Sequence, residues 1–243
     1  MPNYDDYAHD YDAINNVRIF TIVIASISAL FPLSVVVILI QRYNTLVREK
    51  SLIHYVMMIA RADTMTAITI AFGFPDAGLL CAAQGFLFIF FSRMSWFFTD
   101  VLIFQLFYIV VFKKFFLSVK HMHCIVWPLN ILLQILPYTT GTTYGEDDGQ
   151  VCFFGLGNGS FRSVVAWSQY AFTIELFISF AIIIILTFVV VFYCLNMNIA
   201  IRSHVYLAQK IRESWSIMIL YPCAMLVTWV SSTITFIIMF LFH

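Results

Sequence analysis

Six long apolar runs leave this sequence few folds to choose from. They cover approximately residues 17–40, 52–73, 79–112, 122–140, 166–198 and 214–242. About 20 apolar residues in an α-helix cross a hydrocarbon core roughly 30 Å thick, and every run meets that requirement. The third run, residues 79–112, reaches roughly 50 Å at the helical rise, so it is expected to tilt or to project beyond the bilayer. Strands of a membrane barrel are short and alternate in polarity. These runs are continuously apolar, so the expected fold is an all-α integral membrane bundle with six spans in this chain. Composition removes the soluble alternative. Of 243 residues, 62% are hydrophobic and 11% charged, with a mean hydropathy of +0.91, whereas soluble domains carry about 25% charged residues. A water-facing surface cannot be covered from that supply, so the excess apolar side chains must meet lipid.

The loops divide by charge. Arg42, Arg48 and Lys50 follow the first run, Lys113, Lys114 and Lys120 the third, and Arg202, Lys210 and Arg212 the fifth. The opposite side carries Asp5, Asp6, Asp10, Asp12, Asp76, Glu146, Asp147 and Asp148, with Arg18 and Arg162 as its basic residues. Basic loops are retained in the cytosol, so residues 1–16 are expected to form an acidic extracellular tail, most naturally at the plasma membrane. Its first apolar run is too long for a cleaved signal and reads as an uncleaved anchor. The sequence ends inside apolar residues at Phe242 and His243. It reads as a fragment that lacks a C-terminal part, and a six-span protein is the alternative.

The loop between the fourth and fifth runs is rich in Gly, Thr and Asp and reads as turns. It holds the glycosylation sequon Asn158-Gly159-Ser160 on the expected lumenal side. Cys152 in this loop and Cys81 at the outer start of the third run share the oxidising side, where a disulfide persists. Such a bridge would tie the loop across the third helix. Cys124, Cys194 and Cys223 fall in or near helices and read as small packing residues.

Apart from Arg18 at the outer edge of the first, five charged residues lie inside the runs: Arg61, Asp63, Arg93, Asp100 and Glu175. An unpaired charge in lipid is costly, so each should face a partner or a wet cavity. The helical rise puts Arg61 and Asp100 within about 5 Å of the same depth, which makes them a feasible pair and a conformational lock. A purely structural ion pair is the plainer alternative. Arg93 and Glu175 lie similarly deep from the outer side. They are expected to meet in an outward-facing ligand site, with Arg93 taking an anionic group of the ligand. Arg93, Trp96, Asp100 and Phe104 share one helix face by their spacing. In the sixth run Pro222, after Tyr221 and before Trp229, is expected to kink the helix. A kinked helix has two packing arrangements that a switch can use.

Together these features resemble G-protein-coupled receptors. The order matches: an extracellular N-terminus, Asp63 in the second span, Cys81 opening a long third span, Cys152 in the second outer loop, and a proline in the sixth span. Within that family, Cys81, Gln84-Gly85-Phe86, Trp96 and Tyr108 resemble the third span of the cyclic-AMP-receptor-like group. Tyr221-Pro222 with Trp229 resembles its sixth span. The stretch before Asp63 resembles its second, although Arg61 stands where the family has a small or apolar residue. The likeness implies a seven-helix receptor of which six spans are present. It implies an extracellular small-molecule ligand at Arg93, Trp96 and Glu175. It also implies a switch built from Arg61, Asp63, Asp100, Tyr221, Pro222 and Trp229. A heterotrimeric G protein would contact Lys113, Lys114, Arg202, Lys210 and Arg212 on the cytosolic side, residues that topology and anionic lipid also explain.

Rival classes predict features that are missing here. A transporter or channel calls for inverted repeats and helices broken by Gly and Pro at mid-membrane; no such repeat is visible, but this class remains the alternative. An enzyme calls for a nucleophile with a base, or a histidine-rich metal cluster, and the 6 histidines do not converge in the sequence. A Schiff-base lysine is absent from every span interior. Cofactor, metal and nucleic-acid partners are not expected.

Overall fold

A computed structural model describes residues 4–42, 50–73, 75, 78–112, 114, 116, 118–147, 152–155, 167 and 174–200. The sixth expected span lies outside these residues, with Tyr221, Pro222 and Trp229. So do Lys113, Arg202, Lys210, Arg212 and the Asn158 sequon.

The described chain is mostly helical: α1 Tyr4–Arg42, α2 Lys50–Ala71, α3 Leu79–Phe112, α4 Val119–Ile135 and α5 Glu175–Ala200. A 3-10 turn, Leu136–Thr140, and a hairpin of β1 (Thr143–Asp147) and β2 (Cys152–Gly155) lie between α4 and α5. Helix α3 has the bounds expected from its apolar run. Helix α1 starts earlier than expected, because helical backbone continues outward through the acidic residues from Tyr4. Helix α4 gives way early to the 3-10 turn at Leu136, where Pro137 lacks the N–H that a further α-turn needs. Gly141, at φ 76°, then ends the turn in the left-handed region, its N–H donating to Tyr138 O at 3.1 Å.

Three stretches are long and apolar enough to cross a membrane: Leu79–Phe112, Val119–Thr140 and Glu175–Tyr193. Ile22–Ile38 in α1 is a shorter apolar helix. Their outer faces show why the charge supply is so small. Ile27, Leu30, Leu132, Ile185, Phe188 and Phe192 are all exposed by more than half, an arrangement stable only against lipid.

The chain divides into two compact units. The first holds Met1–Phe98 and Val119–Leu176. Within it α1 packs on α2. The hydroxyls of Thr64 and Thr66 in α2 return to the carbonyls four residues back, Ala60 O at 2.7 Å and Ala62 O at 3.0 Å, while Thr69 bonds Thr66 O at 2.6 Å. Bonds of this kind satisfy buried hydroxyls without a second helix. The last carbonyls of a helix need outside donors. Gln84 of α3 supplies one for Thr69 O, its Nε2 also donating to Gly73 O just beyond the helix, while Ile68 O and Ile70 O accept from the N–H groups of Phe72 and Gly73. Gly73 sits at φ 83° with Ile22 of α1 close by, so a side chain there would be strained.

The hairpin belongs to the same unit. Its strands are antiparallel, with Tyr144 opposite Phe154 and an irregularity between Tyr144 and Glu146. Tyr144 and Phe154 pack on Ile89 of α3, flanked by Phe86 and Trp167. Cys152 of β2 is bonded to Cys81 in the first turn of α3, with Cα atoms 5.2 Å apart. The bridge is the one expected. The hairpin it holds was read from sequence as turns, and that reading is corrected here. The second unit holds Thr99–Ser118 and Phe177–His243. In it Phe104 and Phe116 meet edge to face at 4.9 Å and Tyr108 lies against both Phe112 and Phe116.

Candidate functional site

The best-defined polar centre is built around Arg93. This side chain is 1% exposed, in a helix whose apolar length would otherwise cross lipid unbroken. A guanidinium cannot shed its charge, so it must be paired. Its Nε donates to Glu175 Oε2 at 2.6 Å, the contact expected from depth alone. Glu175 stands in the first turn of α5, where the positive end of the helix dipole favours a carboxylate. Glu175 is 21% exposed, so the centre is reached from its carboxylate side and not from Arg93.

The third member is Gln134 of α4. Its Oε1 accepts from Arg93 Nη1 at 3.0 Å, and its Nε2 donates to Phe86 O at 2.8 Å. Its own carbonyl accepts from the Tyr144 hydroxyl at 3.1 Å. The hairpin, α4, α3 and the start of α5 are therefore linked by one chain of bonds. Burial pushes the Tyr144 phenol far above its ordinary range, with Arg93 pulling weakly the other way, so it remains a donor at neutral pH. Asn130, one turn before Gln134 and likewise buried, donates to Phe90 O at 3.1 Å. Neither amide was singled out from the sequence. A signal existed: the buried stripe of α4 is Met122, Val126, Asn130 and Gln134, at every fourth residue. Two amides on the inward line of an apolar helix mark polar partners on its neighbour.

The other expected site residues fall as follows. Trp96 is buried one turn beyond Arg93, whereas Phe104 is 37% exposed, so the shared stripe leaves the interior along α3. Asp63 is partly buried and accepts from Ser95 Oγ at 2.6 Å. Asp100 accepts from Ser179 Oγ at 2.8 Å. Asp100, in the second unit, takes that serine hydroxyl, and Arg61, in the first, is exposed. Lys114, expected at the cytosolic face, is exposed. Among the described residues no group of three or more His, Cys, Asp or Glu is placed to hold a metal ion.

No protein-family model matches the chain, and no curated protein matches it. Among solved structures, the crystal structure of squid rhodopsin matches with a TM-score of 0.62 and 18% identity, covering 90% of this chain and 70% of that one. The chain thus has a fold like that of squid rhodopsin, with stretches long and apolar enough to cross a membrane.

Proposed function

We propose that this chain is a receptor of the G-protein-coupled type, carrying an extracellular chemical signal to a heterotrimeric G protein. One observation supports the reading above the rest. In a receptor-like fold, a buried Arg93 is joined through Glu175 to the start of α5 and through Gln134 and Tyr144 to a disulfide-held hairpin. A ligand that competes for Arg93 or Glu175 exchanges bonds with α3, α4, α5 and the hairpin at once. It therefore binds one arrangement of them better than another, which is what a population shift requires.

The site commits to a chemistry. Arg93 is already neutralised, so an anionic ligand must displace Glu175, while Trp96 offers a buried aromatic face nearby in sequence. Arg61, Asp63 and Asp100, with Tyr221, Pro222 and Trp229, would form the switch. Lys113, Lys114, Arg202, Lys210 and Arg212 would face the G protein. The loop charges argue for an extracellular N-terminus, glycosylation at Asn158 and residence in the plasma membrane. The cyclic-AMP-receptor-like subgroup rests on Gln84-Gly85-Phe86, Trp96 and Tyr108, and makes cyclic nucleotides the first ligands to try.

The test is nucleotide exchange on a purified heterotrimeric G protein, with the full chain in nanodiscs and cyclic AMP as the first compound of a small-anion panel. A receptor accelerates exchange with a ligand, and the double variant Arg93→Met with Glu175→Gln, which removes both charges together, abolishes the response. Failure of exchange across the panel, together with solute flux in liposomes, would establish the transporter or channel reading instead.

A further inference from the structure

Two histidines outside the Arg93 centre make a contact that the proposed receptor function does not use. His54 lies in the second turn of α2 and His123 in the second turn of α4. Their Nε2 atoms are 2.7 Å apart, a separation that requires one proton between them. The indole of Trp127 donates from Nε1 to His123 Nδ1 at 3.0 Å. An indole N–H only donates, so His123 Nδ1 must be bare. Neutral His123 therefore carries its proton on Nε2 and donates to His54, whose own proton sits on Nδ1.

We propose that His54 and His123 form a proton-operated latch between α2 and α4, closed while both rings are neutral and opened by uptake of one proton. A proton added to His54 lands on Nε2 and faces the N–H of His123. A proton added to His123 lands on Nδ1 and faces the N–H of Trp127. Either way two donors oppose each other and a hydrogen bond is lost. The surroundings offer no relief. On α2, Arg61 acts on His54 with like charge, and Tyr55 packs against its ring. From α3 comes the uncharged edge of Phe98, at 5.4 Å from His123. Among the described residues no carboxylate acts on either ring. Histidine is the side chain that takes up a proton most readily on mild acidification, so the latch is closed at neutral pH and opens as the pH falls. On the topology expected from the loop charges this end faces the cytosol, and the signal is cytosolic acidification. The latch needs α2 and α4 alone and does not depend on the receptor reading.

A divalent transition metal is the competing occupant. Two imidazole nitrogens on one zinc sit roughly 3.3 Å apart, and both need free Nε2 lone pairs. That would move the His123 proton to Nδ1, against Trp127.

The test is the thermal unfolding midpoint of the full chain in nanodiscs with EDTA, at pH 7.5 and 5.5. The wild type should lose about 2–4 °C more on acidification than His54→Gln. Trp127→Phe frees His123 Nδ1, letting the singly protonated pair keep its bond, so it should shed most of the acid effect. That variant retains both histidines and decides the question even where His54→Gln does not fold. Equal acid shifts in wild type and His54→Gln would overturn the latch, as would an undiminished shift in Trp127→Phe. A midpoint raised by micromolar zinc at pH 7.5 in wild type but not in His54→Gln would also overturn it, in favour of a metal site.

Discussion

Glu175 and Asp63 are both carboxylates set against α3, and they are held in opposite ways. Glu175 meets a buried guanidinium at 2.6 Å, in a centre that also includes Gln134. Asp63 meets the Ser95 hydroxyl at 2.6 Å, and Asp100, in the second unit, repeats that arrangement with Ser179 at 2.8 Å. A permanent cation within hydrogen-bonding distance favours the charged form of Glu175. A serine hydroxyl is less demanding: it donates to a carboxylate or, less strongly, to the carbonyl oxygen of an uncharged group. The difference separates a fixed charge pair from carboxyl groups whose charge the fold does not demand. Substitution distinguishes the two kinds.

The largest effect should come from Glu175→Gln. It keeps the shape and removes the charge, leaving Arg93 buried and uncompensated, a loss of about 3–5 kcal/mol. Equilibrium unfolding in nanodiscs would measure it. The double variant Arg93→Met with Glu175→Gln should recover most of the loss, because the cost lies in the orphaned cation. If the double variant is as unstable as the single one, packing and not charge is responsible, and the contrast with Asp63 fails.

Cys152→Ser should come next. The bridge to Cys81 closes a sequence separation of 71 residues, and removing it should cost about 2–4 kcal/mol. Because Tyr144 bonds Gln134, loosening the hairpin should also weaken the Arg93 centre while sparing the Asp63–Ser95 bond. Hydrogen exchange resolved by peptide would show faster exchange over 134–147 and unchanged exchange over 60–66.

Gln134→Leu follows, at about 1–3 kcal/mol, since it strips Arg93 Nη1 and the Phe86 carbonyl of a partner. This residue also shows where sequence reading stops. Arg93 with Glu175, and Cys81 with Cys152, were legible because a buried charge or an oxidised thiol compels a specific kind of partner. Gln134, Asn130 and Gln84 bond largely to backbone carbonyls of Phe86, Phe90, Thr69 and Gly73. Every residue offers a carbonyl, so nothing in the partner's identity announces the bond. The hairpin was hidden for the same reason: its pairing is backbone to backbone, and its Gly and Thr residues look like turns. The bounds of α3 were legible because lipid enforces a continuous apolar run. The start of α1 was not, because helical backbone at Tyr4 continues beyond the apolar run.

Asp63→Asn should have the smallest effect, under about 1 kcal/mol, because the amide oxygen still accepts from Ser95. Asp100→Asn should behave the same way through Ser179. The useful measurement is the ratio to Glu175→Gln in the same nanodiscs. A ratio near one would mean that Asp63 is a fixed charge with a counter-ion, and the two carboxylates would be of one kind. A small ratio leaves Asp63 free to differ in protonation between the states of the proposed receptor at little energetic cost. In that case Asp63→Asn should leave stability intact yet shift basal nucleotide exchange on the G protein, an outcome that a merely structural hydrogen bond does not produce.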